Sequence, residues 1–309
     1  MKKLIYTVLM AAGMYSSAHA QQDLTMSQQF FSRINKNPAG IGNVQDIDLF
    51  LLGKAQWLRT DYSPKSGVFN VQTHFKKINS GAGFSMNYED IGVAKQMYAP
   101  KLVYDYCAKV NNRLLLTLGI AAGVQYSNFD PSQYTVDDQS EVGTSTFPDT
   151  RQTKVRPDFD FGMELVAPKF LIGASLTHLT ENKTTTMVAS RHCYVYGRYN
   201  IDLSQDFILA PALSLMHKNK TNVVELNATA FYQRHFWAGV TYHPDVMEKF
   251  SSNPVAITAG LEYSNFRFGY CFDFSLGKVS DYARSGHELL LSYSIKRKHQ
   301  ATVEQDKFE

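Results

Sequence analysis

The stretch Phe266–Ile295 reads FRFGYCFDFSLGKVSDYARSGHELLLSYSI. In its first half, Phe266, Phe268, Tyr270, Phe272 and Phe274 fall on every second residue, with Arg267, Gly269, Cys271 and Asp273 between them. A period of two puts the five rings on one face of a strand and the small or charged residues on the other. A soluble sheet does not show five rings in a row to water while burying Arg and Asp on its core side. The pattern fits an aromatic face against lipid and an opposite face lining a wet interior. The second half continues it, with Leu289, Leu291, Tyr293 and Ile295 set against Glu288, Ser292 and Ser294.

The same alternation recurs upstream. Leu114, Leu116, Leu118, Ile120, Ala122, Val124 and Tyr126 share one face, against Thr117, Gly119, Ala121, Gly123 and Gln125. Phe170, Ile172, Ala174 and Leu176 repeat it, as do Phe236, Ala238, Val240 and Tyr242. Fourteen such segments are predicted, from Ile47–Leu58 to His287–Lys296. Short connections (Lys76–Ser80, Lys109–Asn112, Pro168, Ser204–Gln205, Arg234, Ser264–Asn265) alternate with long ones, as an antiparallel barrel requires. In lipid such a sheet must close, because an edge would leave N–H and C=O groups unpaired in hydrocarbon. The fold class is therefore all-β: a transmembrane antiparallel β-barrel of about 14 strands, with short periplasmic turns, longer outer loops and both termini in the periplasm.

The chain is 309 residues long, 44% apolar and 13% aromatic. Past the first twenty residues it has no apolar run long enough for a membrane helix. Met1–Ala20 reads as a secretory signal: Lys2 and Lys3, an apolar run Leu4–Tyr15, then Ala18-His19-Ala20 as a cleavage site between Ala20 and Gln21. Gln21 in place of Cys excludes a lipoprotein. Loss of Lys2 and Lys3 takes the net charge from +3 to +1, no basis for nucleic-acid binding. Cys107, Cys193 and Cys271 are too few and too scattered for a disulfide framework or a metal site.

Four parts follow: signal peptide 1–20, N-terminal arm 21–46, barrel 47–296 and polar tail 297–309. Within the arm, Asp23–Ile34 forms either a short helix ended by Asn37-Pro38-Ala39-Gly40 or an ordered segment on the rim or inside the barrel. The long connection 127–157, with Asp137, Asp138, Glu141, Arg151, Lys154 and Arg156, reads as a solvated outer loop. No phosphate loop, G-x-S-x-G or HExxH occurs, and His74, His178, His217, His235, His243 and His287 fit solvated positions near strand ends. No catalytic, cofactor-binding or metal residue is assigned, and an enzyme is not expected. A barrel of this size can instead be a protein-binding component or a porin-like small-molecule transporter. For the first, the arm (Asn37, Pro38) and the tail (Arg297, Lys298) are the candidate partner contacts.

The order of several short motifs resembles the PorP/SprF family of the type IX secretion and gliding system. The opening Gln22-Asp23…Ser27-Gln28-Gln29-Phe30…Asn37-Pro38-Ala39-Gly40 is similar to the family's own. Gln56-Trp57, Gly81-Ala82-Gly83-Phe84-Ser85, Phe170–Leu179, Arg191-His192-Cys193-Tyr194, Phe236-Trp237-Ala238-Gly239 and Ser285-Gly286-His287-Glu288-Leu289 follow. Cys193 stands where the family often has an aromatic. The resemblance implies an integral barrel of the cell outer membrane, in contact with outer-membrane lipids. It also implies work alongside periplasmic and lipoprotein machine components, and support for export of large secreted proteins such as adhesins or effectors.

Overall fold

The computed structural model describes residues 26–42, 46–57, 63–91, 95–133, 150–180, 191–218, 221–244, 254–275 and 285–297. The cleavage site at Ala20 and Gln21, and Lys298 in the tail, lie outside the described residues. The strands are β1 (Ile47–Gln56), β2 (Lys65–Phe75), β3 (Ser80–Asp90), β4 (Lys95–Asn111), β5 (Leu114–Phe129), β6 (Gln152–Val166), β7 (Phe170–Thr177) and β8 (His192–Tyr199). There follow β9 (Ile201–Asp202), β10 (Phe207–Lys218), β11 (Thr221–Tyr232), β12 (Phe236–Tyr242), β13 (Pro254–Tyr263), β14 (Phe266–Ser275) and β15 (Ser285–Ile295). The two-residue β9 prolongs β8, since both pair with β10, so the barrel has fourteen staves.

Every pairing is antiparallel, and β1 closes on β15 from Ile47↔Ile295 to Gln56↔Gly286. With β10 also paired to β11, the sheet has no edge and every stave has two neighbours, as a hydrocarbon environment demands.

The faces follow the period of two. On β14, Phe266, Phe268, Tyr270 and Phe272 are 37–46% exposed, whereas Cys271 is fully buried and Asp273 nearly so. On β15, Leu289 is 67% exposed beside the fully buried Glu288 and Leu290. The outward rings include Tyr199, Phe207, Tyr232, Phe236, Tyr263 and Phe266, all near the short turns. They form the aromatic girdle expected at a lipid–water boundary. Two of the short turns use left-handed backbone at Gln233, Arg234 and Ser264, which suits the twist of tight hairpins.

The long connection differs from expectation. β5 runs on to Phe129 and β6 starts at Gln152, so Lys154 and Arg156 are strand residues rather than loop. Here Thr153, Val155 and Pro157 are exposed and Lys154 and Arg156 half-buried, so the alternation persists. At about 3.3 Å per residue these staves outreach the hydrocarbon slab.

The interior holds a segment of the chain itself. Residues 26–42 lie inside the barrel, which decides between the placements open for the arm. Within them are two short 3₁₀ turns, Gln29–Phe31 and Pro38–Ile41, in place of an α-helix. Met26 packs on Phe50, Leu52, Val68 and Leu290, and Ile34 and Ile41 pack on Val103 and Ala121. Burying one such side chain contributes roughly 1.5–3 kcal/mol, so these apolar patches on the inner wall are seats for the segment.

Candidate functional site: the plugged lumen

The plug, residues 26–42, has few internal backbone hydrogen bonds and must satisfy its polar groups on the wall. At its start, the Ser27 and Gln28 amides donate to the Glu288 carboxylate at 2.9 and 3.3 Å. Lys54 Nζ lies 3.1 Å from Glu288 and 2.5 Å from Asp273. One buried lysine thus offsets two buried carboxylates, one of which caps the plug.

Phe31 packs against Trp237 with ring centroids 4.8 Å apart, and the Arg267 guanidinium sits 5.3 Å above its ring. Asn70 Nδ2 donates to Ser32 Oγ at 2.8 Å. Arg33 then grips Glu164 on β6 with two parallel bonds of 2.8 Å. This fork-to-fork geometry is the strongest ionic hydrogen-bonding arrangement proteins make. The Tyr196 hydroxyl donates to the same carboxylate at 2.6 Å, so Glu164, 1% exposed, is fully committed.

Asn37 and Pro38 form the second turn and its cap. Asn37 Oδ1 accepts from the Ala39 amide at 2.9 Å, the usual N-cap bond. Asn37 Nδ2 donates to the Met163 carbonyl at 2.9 Å and to Tyr196 Oη at 3.0 Å. The wall is cut to receive this turn. A Cβ at Gly162 would run into Asn37 Oδ1, and one at Gly119 into the backbone of Pro38 and Ala39. Glycine is needed here because another backbone approaches too closely for any side chain.

Asn37 is wholly buried and Pro38 buried with it, so the described contacts of both are with the barrel's own wall. Arg297 reaches along the outward side of β2: its amide donates to Asp46 at 3.0 Å, its guanidinium to Thr73 Oγ1 at 3.0 Å, and it lies over the exposed Phe75 ring. It clamps the last stave to the short-turn rim.

The sequence reading missed the ionic networks. Lys101 Nζ lies 2.8 Å from Asp158 and 2.7 Å from Asp160, and His178 Nδ1 lies 2.7 Å from Asp158. His178 is therefore not a solvated rim residue; its ring is tied to a buried carboxylate. His74, 3% exposed, also faces inward. The signal was present in strand parity, since Asp158, Asp160 and Glu164 share the inner face of β6, but nothing in the linear order pairs them with Lys101 or Arg33. Among the described residues, two groups have ligand atoms within 4.8 Å of one another: Asp158–Asp160–His178 and Cys271–Asp273–Glu288. In each, a lysine ammonium, Lys101 or Lys54, already contacts both carboxylates.

Solved structures with this architecture are outer-membrane barrels. The CymD monoaromatic hydrocarbon channel superposes with a TM-score of 0.54 at 11% identity, covering 89% of this chain and 94% of that one. The Pseudomonas putida toluene transporter TodX gives 0.50 at 7% identity, with 86% and 94% covered. A Pseudomonas aeruginosa FadL homologue gives 0.50 at 9% identity, with 86% and 93% covered. At such identities the likeness shows the fold alone. No curated protein matches in sequence. A family model described as "Type IX secretion system membrane protein PorP/SprF" matches residues 18–293. This lipid-girdled, closed barrel resides in the outer membrane, and the chain belongs to the PorP/SprF family of type IX secretion system membrane proteins.

Proposed function

We propose that this barrel serves the secretion machinery by binding proteins at its rims, and that it does not pass solutes through its lumen. The observation that carries this reading is the plug. Its wall contacts include a bidentate ion pair, a doubly accepting carboxylate and glycine notches shaped to its backbone. An open pore would leave Glu164 and Glu288 lining water, without need of such fitting. The bound proteins are periplasmic or lipoprotein machine components, or secreted substrates. The surface offered to the periplasm is the short-turn rim with the tail from Arg297 and Lys298 onward. Residues 1–20 act as an export signal and are removed.

The test is a clean deletion in the native host with a tagged copy restored in trans. The expected result is loss of secretion on deletion, restored secretion, and co-purification of machine components with the tagged barrel. Normal secretion in the deletion strain contradicts the reading.

A further inference from the structure

The plug does not fill the lumen evenly. Its second turn packs on β2–β7, while a recess remains between its first turn and β8, β10, β11 and β13. About 20 Å³ of this recess is free internal volume, within a wider space of about 370 Å³ that reaches solvent. Polar Asn227, Thr229 and Thr258 line it with the rings of Phe31 and Phe231, and the one charge among its lining residues is Arg198 of β8.

Arg198 is half-buried, and its side chain makes no hydrogen bond or ion pair among the described residues. Glu164 is held by Arg33 and Tyr196, and Glu262 by Arg267 at 2.8 Å, so both are already committed to another arginine. A guanidinium drawn from water into a protein wall needs a partner. Its planar fork of donors fits an oxyanion, carboxylate or phosphate, in bidentate fashion. Asn227 spends one amide hydrogen on Thr241 Oγ1 at 2.7 Å and has a second to offer. On the same side of the plug, Lys36 lines an adjoining recess that shares Phe30, and it likewise has no ion pair among the described residues. Lys36 has the buried Glu225 carboxylate near it, cross-strand from Ser214 of that recess, so the charge left without a carboxylate of its own on this side is that of Arg198.

We propose that the recess is a binding site for a small oxyanion, seated on Arg198 between the plug and the wall. The enclosed free volume is that of about one water, so an oxyanion seated on Arg198 extends into the solvent-connected part of the recess. The site stands independently of the protein-binding reading above, because it rests on the lumen rather than the rims.

The test uses the full chain purified from membranes in detergent. Its thermal unfolding midpoint is followed while phosphate or, separately, formate replaces chloride at constant ionic strength. Wild type is expected to gain about 5 °C at saturating anion, and the arm that gains more identifies the anion class. Arg198→Met is expected to lose the gain. No gain in wild type with either anion, or an equal gain in R198M, overturns the proposal. Should R198M not fold, Arg198→Lys keeps the charge but not the fork and is expected to gain less than half as much; a full wild-type gain in R198K overturns the proposal.

Discussion

Asn37 reaches three staves at once, through the Met163 carbonyl on β6, the Ala174 carbonyl on β7 and the Tyr196 hydroxyl on β8. Its replacement by Ala removes the cap and leaves these groups short of a partner, at a cost of about 1–3 kcal/mol. Hydrogen exchange in residues 26–42 of N37A should therefore quicken by roughly ten- to a hundredfold, with the strands unchanged. Gly162→Val should go further, because its side chain takes the space of Asn37 itself. Limited proteolysis is expected to cut the plug of G162V and spare that of wild type. Glu164→Gln leaves Arg33 buried beside a neutral amide, and losing one member of such a pair costs about 3–5 kcal/mol. In a double-mutant cycle with Arg33→Met, the two losses should be far from additive. At this scale the sequence showed little. Asn37-Pro38 stood out only through the family's opening motif, and its partners lie more than 120 residues away in the chain.

The staves were the most readable elements, because alternation between lipid and lumen is a local, nearest-neighbour property. Lys101 and Leu102 on β4 show how sharp it is: one is 6% exposed and paired to two aspartates, the next 71% exposed. Leu102→Arg is expected to destabilise folding into bilayers by about 2–4 kcal/mol, as a charge near the midplane of the lipid face does. Urea titration in lipid vesicles measures it. A loss below 1 kcal/mol would mean that Leu102 faces something other than lipid. The upper ends of β5 and β6 were misread as loop for a physical reason. Here Lys154 and Arg156 take the inward positions and Thr153, Val155 and Pro157 the outward ones, so a single large apolar side chain marks the lipid face and charge masks the period.

For the whole molecule, closure and compartment followed from the strand pattern, but the contents of the lumen did not. Residues 26–42 carry no helical or strand period, and their position depends on glycine notches and on charges from β1, β6, β14 and β15. The inner wall looked polar in sequence, which suits a water-filled channel equally well. What separates the two is that Glu164 and Glu288 hold the plug and Asp158, Asp160 and Asp273 hold a wall lysine, and that the apolar inner residues Phe50, Leu52 and Leu290 are covered by Met26. The most direct measurement of this central claim is single-channel conductance in planar bilayers, comparing the intact barrel with one lacking residues 26–42. The intact protein is expected to be silent and the deletion to conduct steadily; open-channel currents from the intact barrel equal to those of the deletion would contradict a plugged lumen.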